Sequence, residues 1–452
     1  MQYAFISELA RRNRYNLRTL RESPAAEISG ALGDLGTLLP LMIALALQGS
    51  INLPATLVFS GLFNIFTGAI FGIPLPVQPM KAIAASALST PLPLRTTTAA
   101  GALVSLAVFI LSTTGALRLL TRHLPVPIIK GIQLGAGLRL VTSGAGLILP
   151  LSWLTPALDS RLSTAVFFLA LFLTQRAPRF PYALLLFLLG LLTTLLLLPT
   201  TFPNTNHYSS PLLPIITPPD FTAPSAWSAA LAQLPLTTLN SIIAVSALAA
   251  SLFPPNLPTP IPTPLTSTSA TPLVPPLVPP SPPSTTSLSI SITTMNLASC
   301  YFGAMPVCHG AGGLAAQARF GARSGASVVV LGLAKVLVGV LAVSGGRAGV
   351  MRVLGGFPRG VLGVMVVAAG LELGKVGGGV DDHVELLEGG KVGREERWMV
   401  MMVTAAGTLA FRNDGVGFLA GCCCHGAYVL ADWVERRRGG GWGLGERRPL
   451  LR

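Results

Sequence analysis

The chain has 452 residues, of which 51% are hydrophobic and only 11% charged, and it carries a formal net charge of +14. With a mean hydropathy of +0.65, it holds more apolar surface than a soluble protein of this length could hide. Its basic residues sit at the ends of apolar runs and do not interleave with aromatics, which argues against nucleic acid as a partner. Five cysteines form no disulfide framework. Cys422, Cys423 and Cys424 are consecutive in an apolar stretch, so their side chains point to different helix faces; they suit helix packing, and no metal or cofactor is expected.

In chain order, residues 1–26 read as a cytosolic tail, because Arg11, Arg12, Arg14, Arg18 and Arg21 precede the first apolar run and no small-residue cleavage site follows. Spans are expected near 27–47, 53–72, 77–89, 97–119, 126–147, 160–174, 180–199, 228–252, 287–302, 307–318, 325–345, 358–374, 397–411 and 414–434. The third and tenth fall short of the ~20 residues a crossing needs and read as half-helices. With the amino terminus inside, the clusters Arg118/Arg122/Lys130, Arg176/Arg179, Arg319/Arg323, Lys391/Arg394/Arg397 and Arg436/Arg437/Arg438 are cytosolic; Arg347, Arg352 and Arg359 do not fit that pattern. Residues 201–227 read as an extramembrane loop. The segment 253–286 is rich in Pro, Ser and Thr and free of charge, and reads as a disordered or polyproline-like connection. Residues 436–452 read as a basic cytosolic tail, after which no regulatory domain is expected.

Two short segments stand out: Pro76-Val77-Gln78-Pro79-Met80-Lys81 and Pro306-Val307-Cys308-His309-Gly310-Ala311-Gly312-Gly313. Each follows an apolar span ending in Phe-Gly, breaks the helix with proline, and places a polar side chain two residues after the shared proline. An interrupted helix is tolerated in hydrocarbon only where its freed backbone groups meet protein, water or ligand. Paired interruptions in corresponding halves point to the binding site of a secondary transporter, and half-helix N-termini favour an anion.

The stretches EISGALGDLGTLLPL (27–41), GLFNIFTGAIFGIPLPVQPMKAIAA (61–85), PVPIIKGIQLGAGLRL (125–140), LPLTTLNSIIAVSALAASLFP (234–254), YFGAMPVCHGAGGLAAQARFGARSGAS (301–327) and NDGVGFLAGCCCHG (413–426) resemble the MOT1-type molybdate transporters, a branch of the sulfate permease superfamily without a STAS domain. The resemblance implies an all-α polytopic membrane protein of two intertwined inverted seven-span repeats. Its core domain would comprise 27–122 and 228–345, and its gate domain 123–200 and 346–435. It implies a secondary active transporter that moves molybdate by alternating access, with a coupled proton, lipid as surroundings and no enzymatic activity. A homodimer is compatible with this reading, as is either the plasma or the vacuolar membrane, with both termini cytosolic.

A tetrahedral dianion must exchange its water for N–H and side-chain donors. Backbone donors are expected from the segments opening at Val77 and Val307, with Gly310, Gly312 and Gly313 allowing close approach. Gln78 and His309 are the side chains best placed to donate, with Gln78 facing Cys308 or His309 across the repeat; the competing reading has Gln78 cap its helix and His309 pack against another span. Thr37 and Asn240 are further pocket candidates, although such residues also glue membrane helices. Asp34 is the proton-coupling candidate, with a core salt bridge, for instance to Lys81, as the alternative. Lys130, Arg139 and Lys335 could steer an anion but read better as headgroup anchors of their spans, and Glu372 reads as an interfacial carboxylate.

A carrier of sulfate or another tetrahedral oxyanion would use the same physics. A nucleobase symporter would place acids at spans 8 and 10, where Asn240 and Cys308-His309 stand. A membrane scaffold or sensor is disfavoured by the paired broken helices, and an embedded enzyme by the absence of any HExxH motif or nucleophile elbow.

Overall fold

Large apolar side chains fill the core of this chain and also cover much of its surface, and many polar side chains are buried with them. The computed structural model describes residues 2–89, 91–174, 180–196, 216–254, 280–375 and 390–437. Most of the predicted connection at 253–286, much of the loop 201–227 and nearly all of the tail 436–452 lie outside them. Phe66, Phe109, Leu169, Leu337 and Leu419 are exposed, whereas Asn64, Gln133, Gln233, His309 and Gln317 are fully buried. Apolar side chains on the outside and buried polar ones within suit a molecule whose solvent is lipid, where polar groups must be satisfied internally.

Helix α1 (Gln2–Glu22) docks on the bundle through Asn16, whose amide donates to the Gly68 carbonyl at 2.9 Å and accepts from the Gly325 N–H at 2.9 Å. The expected first span is two helices, α2 (Pro24–Leu32) and α3 (Leu35–Gln48). The break falls at Gly33-Asp34, where neighbouring backbone closes in: a Cβ at Gly33 would lie 2.9 Å from the Ala316 carbonyl oxygen, and one at Gly36 2.6 Å from that of Leu362. Helix α4 (Leu53–Phe71) starts at Asn52, whose side chain accepts from the Ala55 N–H, and stops at Gly72 with φ of 69°.

Strand β1 (Val77–Pro79) leads into helix α5 (Lys81–Ser89). Helices α6 (Leu94–Thr113), α7 (Ala116–His123), α8 (Val126–Ile148), α9 (Arg161–Leu173) and α10 (Tyr182–Leu196) follow, so the expected fourth span ends at Thr113, short of residue 119. Helix α11 (Pro224–Pro235) continues through a π-helical segment, Leu236–Ala244, into α12 (Val245–Leu252). Pro235 stands at the transition; a residue without an N–H inside a helix favours such a change of hydrogen-bond register. Next come α13 (Thr285–Ser299), capped by Ser284, then β2 (Val307–His309) and α14 (Ala311–Arg319). The chain finishes through α15 (Ala326–Leu341), α16 (Arg347–Gly355), α17 (Arg359–Lys375), α18 (Gly390–Ala410) and α19 (Asp414–Arg437).

The expected short helices at 77–89 and 307–318 therefore begin four residues late, at Lys81 and Ala311. Gln78 precedes Pro79 and is pushed out of the helical region, and 77–79 pair with 307–309 as strands instead. Among the described residues five helices are long and apolar enough to cross a membrane, and a sixth if the pair Gly349–Gly355 and Arg359–Lys375, bent by 63°, counts as one span.

Two helix pairs set the framework, and both approach backbone to backbone. Along α4 and α15 a Cβ at Gly61 would lie 2.7 Å from the Gly332 oxygen, and one at Gly68 2.4 Å from that of Gly325. Along α8 and α17 the partners are Gly137 with Gly370 and Gly144 with Gly363, at 2.7 and 2.8 Å. In each pair the glycines recur every seven residues and match in opposite chain directions, the arrangement that antiparallel helices in lipid need for close van der Waals packing.

Candidate functional site

After Gly72 and Gly303, with φ of 69° and 67°, the chain leaves its helices and runs extended. The two strands pair antiparallel, with Val77 opposite His309, Gln78 opposite Cys308 and Pro79 opposite Val307. Each strand's outer edge is held by an asparagine of the preceding helix. Asn64 Oδ1 accepts from the Val77 N–H at 2.7 Å. Asn296 Oδ1 accepts from the Val307 N–H at 2.8 Å, and its Nδ2 donates to the Val307 carbonyl at 2.7 Å. Extended backbone thereby keeps its hydrogen bonds inside an apolar bundle.

The helices after the strands begin differently. At α5 the first amides are covered by Gln233 of α11, whose Oε1 accepts from Ala82 N at 2.7 Å and Ile83 N at 3.4 Å. At α14 the start is glycine-rich, and the Gln78 amide lies across it. A Cβ at Gly310 would fall 1.5 Å from Gln78 Oε1, and one at Gly313 2.6 Å from its Nε2. Gln78 Nε2 also donates to the Asp34 carboxylate at the break between α2 and α3. Asp34 lies within Coulombic reach of Lys81 and of the buried Lys335, whose ammonium donates to the Val77 carbonyl at 3.4 Å.

A cavity of about 420 Å³ opens beside this assembly. Lys81 and Ala82 of α5, Asn240 of the π-helical segment and Gly312 of α14 line one side; Arg139, Thr142 and Ser143 of α8 line the other, with Arg412 at the turn before α19. Asn240 is buried and its Oδ1 has no hydrogen-bond partner. Arg139 forms a 2.9 Å ion pair with the buried Asp414 and donates to the Arg412 carbonyl at 3.0 Å. Three cationic side chains and the Asn240 amide thus line a space large enough for a tetrahedral oxyanion, while Thr142 and Ser143 donate their hydroxyls to the Arg139 carbonyl.

Of the residues expected to bind, Asn240 lines the cavity. Gln78, Cys308 and Gly310 do not line it: Gln78 lies against Gly310 and Gly313, and Cys308 Sγ accepts from Ser241 Oγ at 3.3 Å. Val77 is fully buried with its N–H and carbonyl engaged. His309 points away: its Nε2 meets Ser291 Oγ at 3.0 Å and its ring packs edge-on to Phe71. The side chain of Thr37 lies outside the described residues. Lys81, Arg139, Arg412 and Gln233 were not expected in this role. The sequence signal for Lys81 was its place directly after the broken segment; for Arg139 it was a guanidinium deep within an apolar span. Among the described residues no group of three His, Cys, Asp or Glu could hold a metal.

A family profile described as "Molybdate transporter of MFS superfamily" matches residues 26–140 and 225–373. Molybdate transporter 2 of Arabidopsis thaliana is 33% identical over 450 residues, covering 89% of this chain and 86% of that protein. Molybdate transporter 1 of Chlamydomonas reinhardtii is 30% identical, covering 88% and 90%. The fold is shared with the transmembrane domain of a cyanobacterial bicarbonate transporter, BicA, at a TM-score of 0.51 and 15% identity, covering 89% of this chain and 97% of that one. It is also shared with the murine anion transporter Slc26a9 in its inward-facing state, at 0.56 and 13%, covering 92% and 71%.

Proposed function

Because this chain belongs to the MOT1-type molybdate transporter family, and so is an integral-membrane anion transporter and not an enzyme, we propose that it carries molybdate itself and binds it in the cavity between α5, α14 and α8. The observation that carries this reading is the convergence of Lys81, Arg139 and Arg412 on one 420 Å³ space beside the paired strands. A dianion placed there meets an ammonium, guanidinium donors and the Asn240 amide, while the Thr142 and Ser143 hydroxyls donate to the Arg139 carbonyl and Gly312 removes the side chain that would hold the anion off the backbone.

Two inverted repeats are supported by the like treatment of the two strands: an αL glycine before each, an asparagine from the preceding helix at each outer edge, and a nine-residue helix after each. On this reading the helices of residues 27–122 and 228–345 form a core that carries the anion, and those of 123–200 and 346–435 form the gate against which it moves. The Asp34–Gln78 contact links a carboxylate to the start of α14, where Gly312 lines the cavity. A proton taken up by Asp34 would offset part of the dianion's charge and alter what Gln78 can donate.

The test is uptake of molybdate by the intact chain in a transport-deficient host, with sulfate as competitor. Saturable uptake that Lys81→Gln removes, in a chain that still reaches the membrane, supports the site; uptake untouched by that change rejects it. Stronger transport of sulfate than of molybdate would transfer the reading to the sulfur oxyanion. Asp34→Asn should flatten the pH dependence of uptake, and an unaltered profile would leave Asp34 outside the coupling.

A further inference from the structure

Arg139 reaches the cavity wall already paired. Its guanidinium is split between the Asp414 carboxylate at 2.9 Å and the Arg412 carbonyl at 3.0 Å, and Asp414 is itself buried at the start of α19. A site built only for the strongest attraction to an anion would not hold a carboxylate against one of its cations. Lys81, Arg139 and Arg412 supply three positive charges and Asp414 one negative, which leaves the site two positive. Asp34, within Coulombic reach of both Lys81 and Lys335, and Lys335 itself add one charge of each sign beside the site and leave the sum at two positive. Glu372 belongs to a separate cavity, where it meets Lys375 at 3.0 Å and Arg319 at 3.7 Å.

We infer that Asp414 is a positioning and charge-setting residue: by holding Arg139 it trims the site from three positive charges to two, and so limits how strongly a tetrahedral dianion is preferred over a monoanion of the same shape, which keeps the dianion releasable. The inference rests on the proposed oxyanion site and deepens it. Attraction between site and ligand scales with the product of their charges, so each charge added to the site favours a dianion twice as much as a monoanion. Unlimited positive charge would also hold the ligand too long for release, which a transporter cannot tolerate. Asp414 is thus an internal counter-charge that the substrate does not have to bring.

The experiment uses the full chain purified into lipid nanodiscs, with equilibrium binding of molybdate and of perrhenate, a tetrahedral oxyanion of similar size and one charge fewer. Arg139→Gln should lower the preference for molybdate over perrhenate by about ten- to a hundredfold, and Asp414→Asn should raise it by a like factor. The double variant restores two positive charges if Lys81 and Arg412 stand alone, and should return to within about threefold of the unaltered chain. Arg412→Gln changes an exposed side chain outside the ion pair, so it should lower the preference even where the buried variants fold poorly. A bridge that only tethers α8 to α19 would change yield and melting temperature in these variants while leaving the preference alone. An unchanged preference in Asp414→Asn or in Arg412→Gln, or a shift in the same direction for Arg139→Gln and Asp414→Asn, overturns the inference. Absence of molybdate binding by the unaltered chain would overturn the site on which it rests.

Discussion

After β1 the chain enters α5 through Met80-Lys81-Ala82-Ile83; after β2 it enters α14 through Gly310-Ala311-Gly312-Gly313. The backbones match: each strand is flanked by an αL glycine before it and edged by an asparagine from the preceding helix. The equipment differs. The first element brings an ammonium at the head of its helix, and its leading amides are already satisfied by Gln233. The second brings only the methyl group of Ala311 at the corresponding place, and the glycines beside it leave room that the Gln78 amide of the first element fills. A bound oxyanion needs both charge and close backbone approach. On the proposed site the first element supplies the charge and the second the close backbone approach.

The sharpest break in this division is to add a side chain where the second element has none. Gly310→Ala places a methyl group 1.5 Å from the Gln78 oxygen, in a site with no slack. A cost of ~3 kcal/mol and loss of molybdate uptake are expected, measurable as a lowered melting temperature alongside uptake. Removing the charge of the first element comes next. Lys81→Gln should weaken molybdate binding by ~10–100-fold, equivalent to ~1.5–3 kcal/mol, with little change in melting temperature, since Lys81 packs against the cavity and not within the core.

The asparagines test whether the backbones are as alike as they look. Asn296→Ala removes both an acceptor and a donor from β2 and should cost ~2 kcal/mol, whereas Asn64→Ala removes one acceptor from β1 and should cost ~1 kcal/mol. Equal melting-temperature losses would show that the β1 edge relies on Asn64 as heavily as β2 does on Asn296. The smallest effect is expected from Gln233→Ala, which strips the α5 amides of their acceptor at ~1 kcal/mol. Because those amides then become available to the substrate, its apparent affinity should stay within about threefold of the original. A large loss of binding would mean that Gln233 positions Lys81 as well.

The sequence by itself determined the class of the molecule. A mean hydropathy of +0.65 over 452 residues, apolar runs with basic ends and two proline-broken repeats of one motif are local or summed properties, so they were legible without a fold. Of the residues the motifs singled out, Gly312 and Asn240 line the cavity, and Gln78 packs against Gly310 and Gly313 of the same helix start. What only the tertiary structure decided was which side chains face that space. His309, polar and central in its motif, turns to Ser291, while Arg139 and Arg412, far off in sequence, arrive through the α8·α17 pairing and the turn before α19. Orientation about a helix axis and the partner across an antiparallel strand pair are fixed by long-range contacts such as Gly137 against Gly370 and Gln78 against Cys308. A polar residue in an apolar span announces that it must be satisfied, but its own neighbours in the chain do not say by what, because the group that satisfies it comes from another helix.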